Sequence, residues 1–166
     1  MLVATDVRYD EATRTGRAAA VAFTGWTDAA PSREWVADVT AIADYEPGSF
    51  YRRELPCLME LLAHVHDALE TVIVDGHVWL GEARPGLGHH LYEALEQRVA
   101  VVGVAKSRFV GGYATEVLRG DTTRPLYVTS VGLPVVEAAA RVKSMHGPYR
   151  LPTLLKRVDT LTREGD

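Results

Sequence analysis

Three acidic residues occupy positions where a carboxylate can do chemistry. Asp6 lies within an apolar segment, Glu54 stands at the entry to a segment with helical spacing, and Asp75 ends a short β-branched run. A carboxylate buried without a partner is costly, so Asp6 needs a partner or a metal. Three converging carboxylates would suit Mg²⁺ or Mn²⁺, and metals held this way activate water for phosphodiester hydrolysis.

Each acid also has a plainer interpretation when it is taken alone. Asp6 would be an ordinary strand residue if it faces solvent from an uncovered side of the sheet. Asp75 would be a capping or turn residue, since Gly76 lets the chain turn there. Glu54 would be a first-turn acid favoured by the helix dipole. The residues by themselves leave these alternatives open.

The elements that must position these acids follow from the hydrophobic pattern. The order β-β-β-α-β-α-β-β-β-α-α predicts a mixed sheet: three antiparallel strands, then βαβ units, with helices packed on the sheet. Ligand sites in open α/β sheets lie outside the carboxyl ends of strands. We expect Pro56 in the first turn of its helix. The pattern predicts strands over 2–9, 17–23, 34–42, 71–74, 99–104, 113–118 and 125–129, helices over 56–69, 134–145 and 152–163, and a loop over 78–88 leading into a helix that ends near residue 97.

Length and composition set limits on the class of protein. A chain of 166 residues with 47% hydrophobic and 24% charged residues is expected to form one globular domain over 1–166. No apolar run is long enough to cross a bilayer, and we see no secretion signal, so no membrane partner is expected. Cys57 is the only cysteine, which excludes internal disulfides and multi-cysteine zinc sites. We expect a cytoplasmic monomer.

The charge is distributed unevenly along the chain. Residues 1–96 carry 16 acidic and 7 basic side chains, whereas residues 97–166 carry 11 basic and 6 acidic ones, and the net charge is −4. A mildly acidic protein is not a simple electrostatic binder of nucleic acid. The asymmetry suits a metal on one side and phosphates on the other, but taken alone it is more simply explained as solvated surface charge.

Several short motifs, taken together, carry a family resemblance. Val74-Asp75-Gly76-His77 and Gly103-Val104-Ala105-Lys106-Ser107-Arg108 are fairly specific in combination. The remaining matches are Asp6-Val7-Arg8-Tyr9, Tyr45-Glu46-Pro47-Gly48 through Arg53-Glu54, Pro125-Leu126-Tyr127-Val128 and Tyr149-Arg150-Leu151-Pro152. In this order, the motifs resemble endonuclease V, a family of deoxyinosine-directed repair nucleases with a ribonuclease H-like fold.

The resemblance implies a role for particular residues in catalysis. Asp6 and Asp75 correspond to the family's metal-binding aspartates, so the implied cofactor is Mg²⁺, with Mn²⁺ as a substitute. Glu54 corresponds to the catalytic glutamate, and Lys106 to the lysine that contacts phosphate. Residues implied in nucleic-acid binding are Tyr45, Pro47 and Gly48 in a wedge loop, Gly76 and Gly86 in a pocket for a flipped base, and His90 near that pocket.

The resemblance implies cleavage of DNA, or of RNA, next to a deaminated purine such as inosine. Departures from the family pattern keep an alternative open. Gly81 or Glu82 stands where the family has one histidine, and Leu133 where it has a second that helps the metal site. The sequence given begins at strand one, whereas the resemblance leads us to expect a helical segment ahead of it. These departures motivate the alternative of a catalytically weakened or inactive nucleic-acid-binding protein of the same fold. A hydrolase of small nucleotides is a third alternative.

Two further residues near the implied site have competing interpretations. His77, beside Asp75, is a substitute for a lost metal ligand or a packing residue. Asp159, in the last predicted helix, is either an extra acid at the site or part of a solvated helix face, and a solvated face is the expectation.

Overall fold

The computed structural model describes residues 1–40, 46, 47, 49, 51–65 and 67–164, and the strands within these ranges form one large sheet and a small hairpin. The large sheet has the order β3-β2-β1-β4-β7-β9-β8, and the hairpin pairs β5 with β6. The strands are β1 Leu2–Asp10, β2 Thr15–Phe23, β3 Arg33–Thr40, β4 Thr71–Asp75, β5 Trp79–Gly81, β6 Arg84–Pro85, β7 Ala100–Ala105, β8 Thr115–Val117 and β9 Leu126–Val131. The helices are α1 Tyr51–Ala63, α2 Leu87–Ala94, α3 Val135–Ser144 and α4 Thr153–Leu161.

The sheet is mixed, as the sequence predicts. β3, β2 and β1 form an antiparallel meander, whereas β1, β4 and β7 run parallel to one another. β9 then runs antiparallel to β7, and β8 antiparallel to β9. The carboxyl ends of β4 and β7 therefore lie at the same edge of the sheet, beside the middle of β1.

Helices cover both faces of the sheet, and alternation along each strand divides the core in two. Leu2 and Ala4 of β1 pack beneath α3 and α4, whereas Val3 packs beneath α1 and α2. Strand residues two apart point to the same face, so each parallel strand contributes side chains to both core layers. Residues just beyond the apolar stretch of a strand continue this alternation, which decides the face on which a polar side chain emerges.

Helix α1 differs from the helix predicted over 56–69. It begins at Tyr51 and ends at Ala63, so Pro56 lies inside it and not in its first turn. A proline lacks the N–H that would bond the carbonyl of Arg52, so the helix tolerates one missing hydrogen bond there. The amides of His64 and Val65 bond the carbonyls three residues before them, which ends the helix in a tight turn.

The predicted loop over 78–88 contains the β5–β6 hairpin and the start of α2. α2 ends at Ala94, earlier than predicted, and Glu96 and Gln97 beyond it have φ values of 56° and 58°. This left-handed conformation cannot continue a helix.

Among the described residues, no helix has the length and apolar character needed to cross a membrane.

Candidate active site

Asp6 and Asp75 are neighbours on two parallel strands. Thr5 of β1 pairs with Val74 of β4, so the next residues in register are Asp6 and Asp75. Asp6 continues the face of Ala4 and Asp75 that of Ile73, both of which lie in the core beneath α3 and α4. The two carboxylates therefore emerge on the same face, at a place that we call the Asp6–Asp75 edge.

The Asp6 carboxylate is partly buried and electrostatically unfavourable. Its Oδ1 accepts the amide of Val7 at 2.9 Å, and its Oδ2 lies 3.4 Å from the hydroxyl of Thr162. Burial, followed by repulsion from Asp75 and Asp159, raises the pKa of Asp6 to about 6. Asp6 is thus not a solvent-facing strand residue, and its charged form would be stabilised by a cation at this edge.

Glu54 reaches the same edge from the opposite helical layer. It lies in the first turn of α1, within the helix and not just before it. A narrow crevice is lined by Glu54, Asp6 and Asp75 together. Burial and repulsion from the two aspartates raise the pKa of Glu54 to about 7. A carboxylate with such a pKa can exchange a proton near neutral pH.

Lys106 joins the two aspartates of the sheet to α4. It follows the last residue of β7, and its Nζ lies 3.0 Å from Asp75 Oδ2 and 3.9 Å from Asp159 Oδ1. Burial disfavours the charged ammonium, but the attraction of Asp75, Asp159 and Asp6 outweighs it and raises the pKa of Lys106. The side chain is therefore a cation held at the Asp6–Asp75 edge.

Asp159 is a component of this edge, and the expectation of a solvated helix face is wrong. Its side chain is only 10% exposed, and it lies with Asp6, Asp75 and Lys106 in a second crevice between the sheet and α4. Lys156 Nζ bonds its Oδ2 at 2.9 Å, and Arg163 Nη2 bonds its Oδ1 at 3.0 Å. These cations outweigh burial and lower the pKa of Asp159. Helical spacing could have shown the inward direction, since Asp159 follows the apolar Leu155 by four residues.

The donor set at this edge fits a hard divalent cation. In the described part of the chain, no group of three His, Cys, Asp or Glu side chains is arranged to hold a metal ion, so the expected convergence of three carboxylates on one cation is not seen. Mg²⁺, however, is commonly held by one or two carboxylates, together with water and substrate phosphate. The adjacent, repelling carboxylates of Asp6 and Asp75 match that requirement.

A cavity of about 460 Å³ opens beside the carboxylates. Glu54 and Asp75 lie in its wall together with Gly76, Gly86 and Tyr51. Gly76 has a φ of 141°, a conformation that side chains rarely adopt. A Cβ on Gly86 would stand 2.5 Å from the carbonyl oxygen of His77, so only glycine lets the chain approach so closely.

His90 and His77 lie around this cavity in different ways. His90 stacks on Tyr51, with 3.6 Å between ring centroids, so it supports the wall through that residue. His77 lines the cavity, and its Nε2 lies 3.1 Å from the carbonyl oxygen of Ser107. Burial lowers the pKa of both imidazoles. His77 thus bonds to the backbone beyond β7.

The predicted wedge loop is described only in part. Tyr45 and Gly48 lie outside the described residues. Pro47 is exposed in a turn, and Glu46 beside it forms a 2.8 Å ion pair with Arg52 of α1. The described portion therefore presents Pro47 to solvent next to the start of α1.

The two positions that depart from the family pattern lie in different parts of the structure. Leu133 follows β9, whose last residue, Val131, pairs with Val101 near the start of β7. Lys106 follows the other end of β7, so Leu133 lies at the opposite edge of the sheet. Gly81 ends β5, and a Cβ there would meet only the carbonyl oxygen of Gly111, at 3.5 Å.

The sheet order, the helices on both faces and the acidic strand edge define a ribonuclease H-like fold of the kind that nucleases use. The family model for endonuclease V matches residues 1–148, and the chain belongs to the endonuclease V family of nucleases. It is 29% identical to endonuclease V of Xylella fastidiosa (strain Temecula1) over 99% of this chain and 77% of that protein. It is 32% identical to endonuclease V of Alkalilimnicola ehrlichii over 89% of this chain and 73% of that protein.

Solved structures show the same fold. The crystal structure of endonuclease V from Streptomyces avermitilis superposes with a TM-score of 0.80 at 24% identity, covering 98% of this chain and 79% of the other. Endonuclease V (D234N) of Ciona intestinalis, solved with a 23mer DNA containing an inosine followed by a ribo-adenosine, gives a TM-score of 0.79 at 16% identity, covering 98% and 83%.

Proposed function

We propose that this chain is a Mg²⁺-dependent endonuclease that hydrolyses a phosphodiester bond near a deaminated purine in DNA. The observation that carries the proposal is the adjacent pair of Asp6 and Asp75, which directly follow the paired Thr5 and Val74, with Glu54 and Lys106 at the same edge. The Ciona endonuclease V structures with inosine-containing DNA support the choice of substrate.

Each side chain has a distinct role in the proposed reaction. Asp6 and Asp75 would hold the cation, which supplies electrostatic activation of water and stabilisation of the leaving oxygen. Glu54 accepts a proton from the attacking water, for which a pKa of about 7 is well placed. Lys106 exchanges its contact with Asp75 for the scissile phosphate and neutralises the charge that develops there.

The 460 Å³ cavity would hold the displaced base. Its volume lies within the range of small-molecule sites, and it shares Glu54 and Asp75 with the carboxylate edge. A base extruded into it would leave its phosphate beside the reacting groups. Extrusion costs least at a mispaired base such as inosine, which gives the site part of its selectivity.

A cleavage assay tests this proposal. Labelled duplex and single-stranded oligonucleotides, each with one inosine, are incubated with Mg²⁺, with Mn²⁺ or with EDTA. We expect cleavage of the inosine strand that requires the metal and is abolished by Asp75→Asn. Asp38→Asn is the matched control, since Asp38 is an exposed acid of edge strand β3.

Two results would contradict the proposal. If no inosine substrate is cleaved with either metal, the proposed nuclease activity is wrong; oligonucleotides that are bound but not cleaved would favour the non-catalytic alternative. If wild type and Asp75→Asn cleave equally well, the Asp6–Asp75 edge is not the active site.

A further inference from the structure

Tyr149 is a large aromatic side chain that stands out in solvent. It lies between α3 and α4, and 75% of its surface is exposed. The Tyr149-Arg150-Leu151-Pro152 motif that contains it has no role in the reaction proposed above. A side chain of this kind on a solvent-facing loop gains nothing from core packing, which favours contact with a binding partner.

The backbone that carries Tyr149 is firmly held. Arg119 is only 7% exposed, and its guanidinium donates to the carbonyl oxygens of Tyr149 at 2.9 Å, Gly147 at 3.1 Å and Met145 at 2.5 Å. Gly147 has a φ of 117° and packs so closely on Thr153 that a Cβ would stand 2.6 Å from its hydroxyl. The segment 145–152 therefore presents Tyr149 in one fixed backbone conformation.

The same segment is bonded directly to the Asp6–Asp75 edge. Arg150 Nη2 donates to the carbonyl oxygen of Lys106 at 2.5 Å and to that of Pro125 at 2.7 Å. Leu151 lines the crevice that contains Asp75 and Lys106. Tyr149 is thus adjacent in sequence to the residue that holds the backbone of Lys106.

An exposed aromatic ring on a firmly held backbone, next in sequence to the residue that bonds the Lys106 carbonyl, has the properties of a base-stacking platform. Every nucleobase has a π-face, so stacking on tyrosine tolerates any sequence. Because the backbone is already ordered by Arg119, little backbone entropy is lost when the ring is covered. We propose that Tyr149 stacks on a nucleobase of the substrate strand close to the scissile phosphate. This inference rests on the proposed function only in taking nucleic acid as the substrate.

Binding of a fluorescently labelled inosine-containing oligonucleotide, measured by anisotropy, tests the inference. All proteins carry Asp75→Asn, so that the oligonucleotide stays intact with Mg²⁺ present. We expect Tyr149→Ala to raise Kd about 5-fold or more, as loss of one base–aromatic stack does, and Tyr149→Phe to stay within about twofold. Tyr113→Ala is the matched control, because Tyr113 is 69% exposed and lines a separate cavity with Leu133, away from Lys106.

An abasic scan identifies the stacked base and does not depend on the stability of a variant. A single abasic nucleotide is moved along the strand on both sides of the inosine. At one position the abasic nucleotide should weaken binding by the protein that retains Tyr149 (the Tyr149 protein) as much as the Tyr149→Ala substitution does. At that position it should have no further effect on binding by the Tyr149→Ala protein.

The outcomes separate this inference from the proposed function. If the Tyr149 protein binds oligonucleotides but Tyr149→Ala binds equally well, or no abasic position is coupled to Tyr149, the stacking role is wrong and the nuclease proposal stands. If the Tyr149 protein binds no oligonucleotide, both are overturned. The melting temperature of Tyr149→Ala should stay unchanged, because the ring is exposed.

Discussion

The carboxylates of Asp6 and Asp75 emerge side by side from parallel strands, on the same face of the sheet, with Lys106 Nζ 3.0 Å from Asp75. Two like charges held this closely repel each other, and burial strengthens the effect at Asp6. A fold accepts such an arrangement where function requires it. The pair therefore lowers the stability of the metal-free protein and supplies attraction for a cation.

The first prediction is that Asp6→Asn stabilises the metal-free protein at high pH. The pKa of Asp6 is raised from 3.8 to about 6, so the folded state holds the proton more tightly than the unfolded chain does. The charged Asp6 carboxylate therefore destabilises the folded protein fully above about pH 6, and this destabilisation vanishes below about pH 4. We expect Asp6→Asn to melt about 2–6 °C higher than wild type at pH 8 in EDTA.

The difference in melting temperature between wild type and Asp6→Asn tests this prediction. The difference should shrink as pH falls from 8 to 4, because protonated aspartate resembles asparagine. Added Mg²⁺ should raise the melting temperature of wild type more than that of Asp6→Asn. A variant that melts lower than wild type at pH 8 in EDTA would show that Asp6 is not electrostatically strained.

The second prediction concerns Glu54 as the proton acceptor. Glu54→Gln keeps the shape of the side chain but cannot accept a proton, so cleavage should fall by about 10²–10⁴-fold. The wild-type rate should rise with pH and level off at or below about pH 7, because a cation bound nearby lowers the pKa of Glu54 from its value of about 7.

Glu60→Gln is the control for this prediction, since Glu60 is an exposed acid further along α1. It should cleave at the wild-type rate. A Glu54→Gln protein that retains the wild-type rate and pH profile would exclude Glu54 as the base.

Much of the fold could be predicted from the alternation of apolar residues. The antiparallel start, the buried strands 71–74 and 99–104 and the last two helices are all confirmed within a few residues. The sequence predicts too late a start for α1 because Pro56 resembles a helix start, whereas the actual start at Tyr51 has no comparable local signal. The early end of α2 is set by the left-handed Glu96 and Gln97, neither of which is a glycine or asparagine.

The site was predictable to the extent that strand periodicity reaches it. Asp6 lies two residues after buried Ala4, and Asp75 two after buried Ile73, so their common face follows from alternation. The sequence predicts a solvated face for Asp159 because its cationic neighbours, Lys156 and Arg163, are typical of such a face. Those cations compensate the buried charge, and this pairing exists only once α4 packs on the sheet.

The third prediction is that Gly86→Ala impairs the cavity. A Cβ at Gly86 would stand 2.5 Å from the backbone carbonyl of His77, so the chain between them must shift into the cavity wall. We expect cleavage of inosine-containing DNA to fall at least about 10-fold, as a misplacement of about 1 Å costs more than that.

Gly81→Ala is the matched glycine control. A Cβ there meets its nearest neighbour at an ordinary 3.5 Å, so activity should be retained. Equal activity of Gly86→Ala and Gly81→Ala would show that the cavity does not hold the base.

The last prediction concerns Glu46, beside the exposed Pro47. Its carboxylate bonds Arg52 Nη1 at 2.8 Å, so replacing it removes a negative charge and also frees a cation at the start of α1. Both effects favour binding of phosphate groups. We expect Glu46→Gln and Glu46→Ile to bind inosine-containing duplex about 2–3-fold more tightly near 0.05 M salt, with little difference near 0.5 M.

Glu96→Gln is the control, because Glu96 forms a comparable exposed pair with Arg98 just before β7, at the end of that strand away from Lys106. Equal tightening by Glu46→Gln and Glu96→Gln would mean that only overall charge matters, whereas an effect confined to Glu46 would place the duplex against the start of α1.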